Sequence, residues 1–451
     1  MELSVQDTRS TRNTVSVSPK LTIFLIAAIA VLIGVFSIWV LAPPRGWAAT
    51  DARYYHFPII NFLITNGYRL DYDPDIIAMF PGMHVFFAFF ARLLGIKQLS
   101  FDGLQAFLIQ SILGLLFLFG LFQIVRQLAV DLLSTLLLIV PVVSSSFVLY
   151  SWVWPTPDLG SLAFYIWMIV LLLKDPPLTS SVAITFSVLT AGAMLFRQSN
   201  AVLGFSLIPI VAFRLLVSRP RFSDLWTIGL ALLPAVTALL GIGFLLLIWG
   251  HVVPPHFVNY HSARGLNVVS AVHTLALSGL VCWPFALVLL RGQGFRPTVL
   301  IPVAATAVVL TLLCYLFVPL NYDKDAGRWG SLVWTMEHSL ASSHLGSLFV
   351  CATIFVGATI WTLVGVRCWQ TRQIAPEISL FCVFAAGLLF ESMSWQRYVE
   401  PQLLISLSVF CAREKLDSLD GRIGVGWFLA YAVLSLVKPF IGGDSVASHF
   451  M

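Results

Sequence analysis

A carboxylate held at a membrane surface can take the proton from an attacking hydroxyl, and this chain gathers several in one polar stretch. Residues 47–82 read WAATDARYYHFPIINFLITNGYRLDYDPDIIAMFPG, with Asp51, Asp71, Asp73 and Asp75 beside Tyr54, Tyr55 and His56. Asp51 follows closely on the first apolar run, which sets it near the membrane surface, and it is the candidate general base. The same residue suits the N-cap of a helix over 52–66, a role that can coexist with catalysis. Asp73 precedes Pro74 in a turn-forming Tyr-Asp-Pro-Asp sequence. It is read either as turn structure or as a substrate contact.

Further polar clusters sit at the ends of apolar runs. Phe196–Asn200 (FRQSN) groups Arg197, Gln198 and Asn200, suited to a phosphate or sugar, or to hydrogen bonds between helices. WQRYVEP, Trp395 to Pro401, brings Arg397, Tyr398 and Glu400 to the start of another run, with Arg397 a phosphate candidate. The segment Trp249–Gly265 holds three histidines. His256 and His261 are five apart, about 500° around a helix, which does not suit a metal site and fits hydrogen bonding to substrate better. NYDKDAGRWGSLVWTMEHS, from Asn321, mixes Asp323, Asp325, Arg328, Trp329, Trp334 and Glu337; its aromatics serve sugar stacking or membrane anchoring equally well.

The elements that must position these groups follow from composition. Of the 451 residues, 59% are hydrophobic and 10% charged, and the mean hydropathy is +0.91. Soluble domains carry about 25% charged residues. Continuous apolar runs exclude a β-barrel, whose strands alternate. The runs lie at about 21–41, 104–125, 132–149, 159–173, 182–196, 201–213, 225–249, 268–290, 299–320, 345–366, 378–390, 398–411 and 425–437. Val85–Leu94 is too short to span and is expected to be interfacial or re-entrant. The reading is an all-α polytopic transmembrane bundle of about 13 spans. Residues 1–20 form a disordered cytoplasmic tail, 21–440 a single multi-span domain, and 441–451 a short C-terminal tail. The large first outer loop, 42–103, carries short interfacial helices and the catalytic groups. The first run is too long for a signal-peptide core and is expected to stay uncleaved. Six cysteines lie in apolar runs or beside basic loops, so neither disulfides nor a metal cluster is expected.

Charge placement sets the orientation. With the N-terminus in the cytoplasm, the terse basic connectors holding Arg126, Lys174, Arg214, Arg291, Arg367 and Arg413 all fall inside, as the positive-inside rule requires. The motif-bearing loops then lie outside. Arg53, Arg197, Arg264, Arg328 and Arg397 stand against that bias, one per outer segment. Guanidinium forks suit phosphate. Five in convergent loops imply an anionic ligand at the outer face.

The quoted motifs resemble those of the dolichyl-phosphate-glucose-dependent alpha-1,2-glucosyltransferases, which add the terminal glucose to the lipid-linked oligosaccharide. Tyr55-His56-Phe57-Pro58, Tyr72-Asp73-Pro74 and Pro81-Gly82 are similar, in order, to parts of that family's first outer loop. Phe196-Arg197-Gln198-Ser199-Asn200 is similar to its Phe-Arg-Gln-Thr-Asn. The His256 and His261 pair, and Arg397-Tyr398 followed by Pro401, match later motifs. The family's acidic pair is reduced here to Asp51, displaced by one residue, and its Gly-Asp-Lys is replaced by Gly250-His251-Val252. The resemblance implies a GT-C type fold, a dolichyl- or polyprenyl-phosphate sugar donor and a lipid-linked glycan acceptor. It also implies transfer of a hexose with inversion.

These readings combine into one expectation, a membrane glycosyltransferase in the ER or bacterial inner membrane with its site on the non-cytoplasmic side. Asp51 is its base. Arg197 and Arg397 hold the donor phosphate. His56, Asp73, Gln198, Asn200, His256, His261 and Tyr398 bind sugar or acceptor. No cofactor, metal or nucleic acid is expected, and no Gly-rich phosphate loop occurs. The rival is a polytopic flippase or transporter of a lipid-linked sugar, which would carry polar groups at mid-membrane depth in related halves. No clear internal repeat is found.

Overall fold

The computed structural model describes residues 19–42, 47–68, 79–128, 131–173, 178–217, 223–258, 265–292, 296–323, 326, 328, 330–340, 345–391, 395–414 and 419–441. Among them the chain is all-helical, and an isolated bridge pairs Asp323 with Arg328. Each apolar run of the sequence falls on a helical segment. The first is α1 (Pro19–Leu41). The loop after it carries three short helices, α2 (Trp47–Asp51), α3 (Phe57–Asn66) and α4 (Gly82–Leu93). Then come α5 (Leu104–Leu128), the pair α6 (Leu132–Ser144) and α7 (Ser146–Val153), α8 (Pro157–Leu173) and α9 (Ser180–Phe196). A 3₁₀ segment (Gln198–Phe205) leads into α10 (Leu207–Val217), followed by α11 (Ser223–Trp249), α12 (Val268–Gly292) and α13 (Pro297–Phe317). The last are α14 (Leu332–Leu340), α15 (Leu345–Thr371), α16 (Pro376–Gly387), α17 (Gln396–Arg413) and α18 (Leu419–Ile441).

Seven helices among the described residues are long and apolar enough to cross a membrane, or eight if α6 and α7, bent by 60° at Ser145, make one broken span. Several of the remaining runs, including those of α8, α9 and α16, form shorter apolar helices. The exterior is apolar: Leu247 is 87% exposed, Leu216 83% and Phe317 77%. Such a surface suits a lipid solvent, in which backbone groups must be satisfied within each helix.

The interior reverses this pattern. In α17 every residue from Tyr398 to Ala412 is buried, including Glu400, Gln402, Ser406 and Ser408. It is the polar pillar around which the bundle is built. Tyr165 Oη from α8 meets Ser406 Oγ at 2.7 Å. Tyr431 Oη from α18 donates to Glu400 at 3.0 Å, and Gln396, also hydrogen-bonded to Glu400, accepts from Leu332 N at 2.7 Å. In an apolar bundle such bonds have no water to compete with them, so they fix the pillar's rotation.

Close approaches set the remaining geometry. A Cβ on Gly279 would collide with the Thr353 carbonyl, and one on Gly357 with the Leu275 carbonyl, so α12 and α15 cross backbone to backbone. Gly82 meets the Leu195 carbonyl, and the Phe196 ring lies where a Cβ of Gly160 would be. These last two contacts bring α4 and the start of α8 to the end of α9, where Arg197 stands.

Candidate functional site

Two arginines from distant parts of the chain meet at one end of the pillar. Arg197 is extended (φ −148°, ψ 121°) at the break between α9 and the 3₁₀ segment. The break is stabilised by Asn200, whose Nδ2 donates to the Ala193 carbonyl at 3.0 Å and to Ser161 Oγ at 2.9 Å. The side-chain amide thus adds a second donor to a carbonyl that already accepts from Arg197 N at 3.0 Å, and ties the helix end to α8. Arg397 lies in the first turn of α17.

Each guanidinium faces a carboxylate. Arg397 Nη1 donates to Asp51 Oδ2 at 2.8 Å, and Arg197 Nε lies 3.1 Å from Asp158 Oδ1. Both stack on Tyr398, at 4.0 Å for Arg197 and 4.9 Å for Arg397. Arg397 also lies over Trp47 at 4.5 Å and Trp395 at 4.4 Å, and its Nη2 donates to Tyr398 Oη at 3.1 Å. Rings around a desolvated guanidinium hold it by its flat faces and leave its edge for anions. A narrow cavity opens here, lined by Arg197, Arg397, Tyr398, Asp158, Asn200 and Gln402 among others.

Asp158 is the second residue of α8, just after Pro157 at its start. There the fixed proline φ begins the helix and the dipole favours an acid. Asp51 is different. Its backbone is helical (φ −59°, ψ −47°) and its side chain caps nothing, so the N-cap reading is corrected. The helix runs on through a π turn, Ala52–His56, and just before this widened turn the Asp51 carboxylate meets Arg397.

His56 is buried rather than in the cavity lining. Its Nδ1 lies 3.2 Å from His84 Nε2, so one ring donates and the other accepts. Burial, then the charges of Arg397 and Arg197, push the His56 imidazole down to about 3. His84 is lowered well below its usual value, by burial and then by His56. Gln198 accepts from Phe80 N at 3.2 Å, bracing the chain just before α4. Near Arg197, burial raises the Glu391 carboxyl while the arginine opposes that shift. Asn267 fixes the backbone there, its Nδ2 donating to the Glu391 carbonyl at 2.8 Å.

The expected convergence of five arginines contracts to two among the described residues. Arg328 is closed within its own turn, with Nη2 2.9 Å from Asp323 Oδ2 and Nε donating to the Asn321 carbonyl at 2.7 Å. Glu337 accepts there from Tyr322 N at 2.7 Å. Arg53 stacks on Tyr54 and Phe101. Asp73, His261 and Arg264 lie outside the described residues, as does the side chain of His256. Asp158, His84 and Glu391 were not singled out from the sequence. Asp158 carries a weak signal, an acid beside proline at the head of an apolar run. His84 is a polar residue near the start of an otherwise apolar helix that closes on Arg92, and Glu391 a lone acid after an apolar run.

No family model, no curated protein and no solved structure matches this chain.

Proposed function

We propose that the chain is an integral-membrane glycosyltransferase that takes a hexose from a dolichyl- or polyprenyl-phosphate donor and passes it to a lipid-linked glycan. The observation that carries this reading is the pair of arginines stacked on Tyr398 beside the cavity. The acceptor oxygen attacks the anomeric carbon and its proton passes to the Asp51 carboxylate. The bond from that carbon to the phosphate oxygen breaks, and the polyprenyl phosphate leaves with both electrons. Arg197 and Arg397 stabilise its charge in a site with little water to screen it. Asp158 orients Arg197. His56, neutral at physiological pH, adds no third cation to the cluster. The resemblance of the Phe196–Asn200 and Arg397-Tyr398 motifs supports glucose, alpha-1,2 linkage, inversion and a GT-C fold, and the thirteen apolar runs support about 13 spans. The basic connectors support a site on the non-cytoplasmic side of an ER or bacterial inner membrane.

The test is transfer from radiolabelled polyprenyl-phosphate glucose and polyprenyl-phosphate mannose to extracted lipid-linked glycans. Wild-type membranes are expected to transfer one of them. Asp51→Asn should lower the rate about 10²- to 10⁴-fold, and Arg197→Ala about 10²- to 10³-fold. Full activity in both variants overturns the reading. Translocation of the lipid-linked sugar with no new glycosidic bond favours a flippase instead.

A further inference from the structure

The two ion pairs at the cavity are built differently. Asp158 sits in the first turn of a seventeen-residue helix, and its side chain is 11% exposed. Asp51 stands inside a continuous helical stretch where an α turn passes into a π turn, and its side chain is 29% exposed. No capping bond holds it, and its hydrogen bond is the one to Arg397. Arg397 does not depend on Asp51 for its place. Trp47, Trp395 and the Tyr398 ring and hydroxyl hold it on other sides. Its Nε is buried and has no hydrogen-bond partner among the described residues.

We infer that Asp51 is a releasable latch: an entering phosphate takes its place on Arg397 and frees the carboxylate, while Asp158 remains fixed on Arg197. The inference rests on the donor-phosphate reading of this site. Its physical basis is competition for one guanidinium edge. A carboxylate and a phosphate oxygen seek the same N–H donors, and a preorganised cation loses little when one anion replaces the other. The consequence is an order of events. Before donor binds, Oδ2 of the base is engaged with Arg397 and is not open to an acceptor hydroxyl. Once donor is bound, the same carboxylate stands free beside the phosphate that anchors the sugar. Donor therefore binds first, and the unoccupied site does not activate an acceptor.

The experiment measures decyl phosphate binding to the purified full chain in a neutral detergent by titration calorimetry. Asp51→Asn is expected to bind it about tenfold more tightly than wild type, since the competing anion is gone. Asp51→Glu keeps the carboxylate and should return to within about threefold of wild type. Asp158→Asn should bind no more tightly, because Asp158 holds Arg197 in place rather than guarding it. Equal tightening in Asp158→Asn would mean a general field effect and would overturn the latch. So would an Asp51→Asn affinity no better than wild type in a protein of unchanged melting temperature. Absence of binding in wild type and every variant overturns the phosphate site itself, and with it the reading beneath.

Discussion

The pillar helix α17 ends in arginine at both ends, and the two ends are used in opposite ways. At its C-terminal end, Arg413 Nη1 donates to Glu377 of α16 at 3.0 Å, and Arg367 of α15 pairs with Glu414. No aromatic ring stacks on Arg413 among the described residues. These pairs join neighbouring helices as staples. At the other end, roughly 24 Å away along the helix axis, Arg397 is wrapped in rings and pairs with a residue far back in the chain. Staples fasten helices that already pack. The ring-held pair gathers segments that would otherwise be unrelated, and it borders a cavity.

The largest separation between the ends is expected from arginine removal. Arg397→Ala should abolish transfer, by about 10³-fold or more with Asp51 also left unpaired, while leaving folded protein recoverable. Arg413→Ala should do the reverse. Glu377 is fully buried, and stranding it costs about 3 kcal/mol, read as a lower melting temperature in detergent with transfer per folded molecule unchanged. Equal effects at the two ends would dissolve the distinction.

A smaller effect belongs to the α12–α15 crossing, which lies away from both ends. Gly279→Ala forces a methyl into the Thr353 carbonyl, and overpacking of this kind costs about 1–3 kcal/mol. Thermal inactivation should quicken while phosphate affinity stays the same.

The effect that is smallest near neutrality, and grows as the medium is acidified, is a slope with pH. The folded pKa of His56 is depressed to about 3 from 6.5, so between these values the unfolded chain binds the extra proton. Stability is then present above pH 6.5 and falls as pH drops toward 3, by about 1.4 kcal/mol per pH unit for such an imidazole. His84 is shifted the same way. His56→Gln should flatten the loss of melting temperature between pH 6.5 and 4.5, whereas Arg413→Ala should leave the slope intact.

Most helices were legible because they are apolar runs, and even the short Val85–Leu94 segment reappears as α4. Arg197 and Arg397 were legible because a guanidinium at the end of an apolar run needs a reason. What could not be read was partnership. Nothing in WVWPTPDLG says that Asp158 faces Arg197. That pairing depends on Gly160 admitting the Phe196 ring, a contact between α8 and α9. Nor could the sequence show that Arg328 is closed within its own turn, since an arginine near aspartates reads alike whether it serves a ligand or a loop. Asp51 was singled out for its position, and the cap that was its alternative reading fails at a π turn, which leaves no mark in residue type.

The ring of Tyr398 has a consequence for how this chain can vary. It seats two cations against one face-and-edge surface, and each needs its own acid to offset the other's charge. The five positions 51, 158, 197, 397 and 398 therefore form one physical unit. Loss of either acid leaves two cations with one counter-charge, and loss of the ring takes from Arg197 its stacking partner while Trp47 and Trp395 still hold Arg397. In related chains these residues should be kept together or replaced together. A descendant with a neutral residue at 158 should carry no charge at 197.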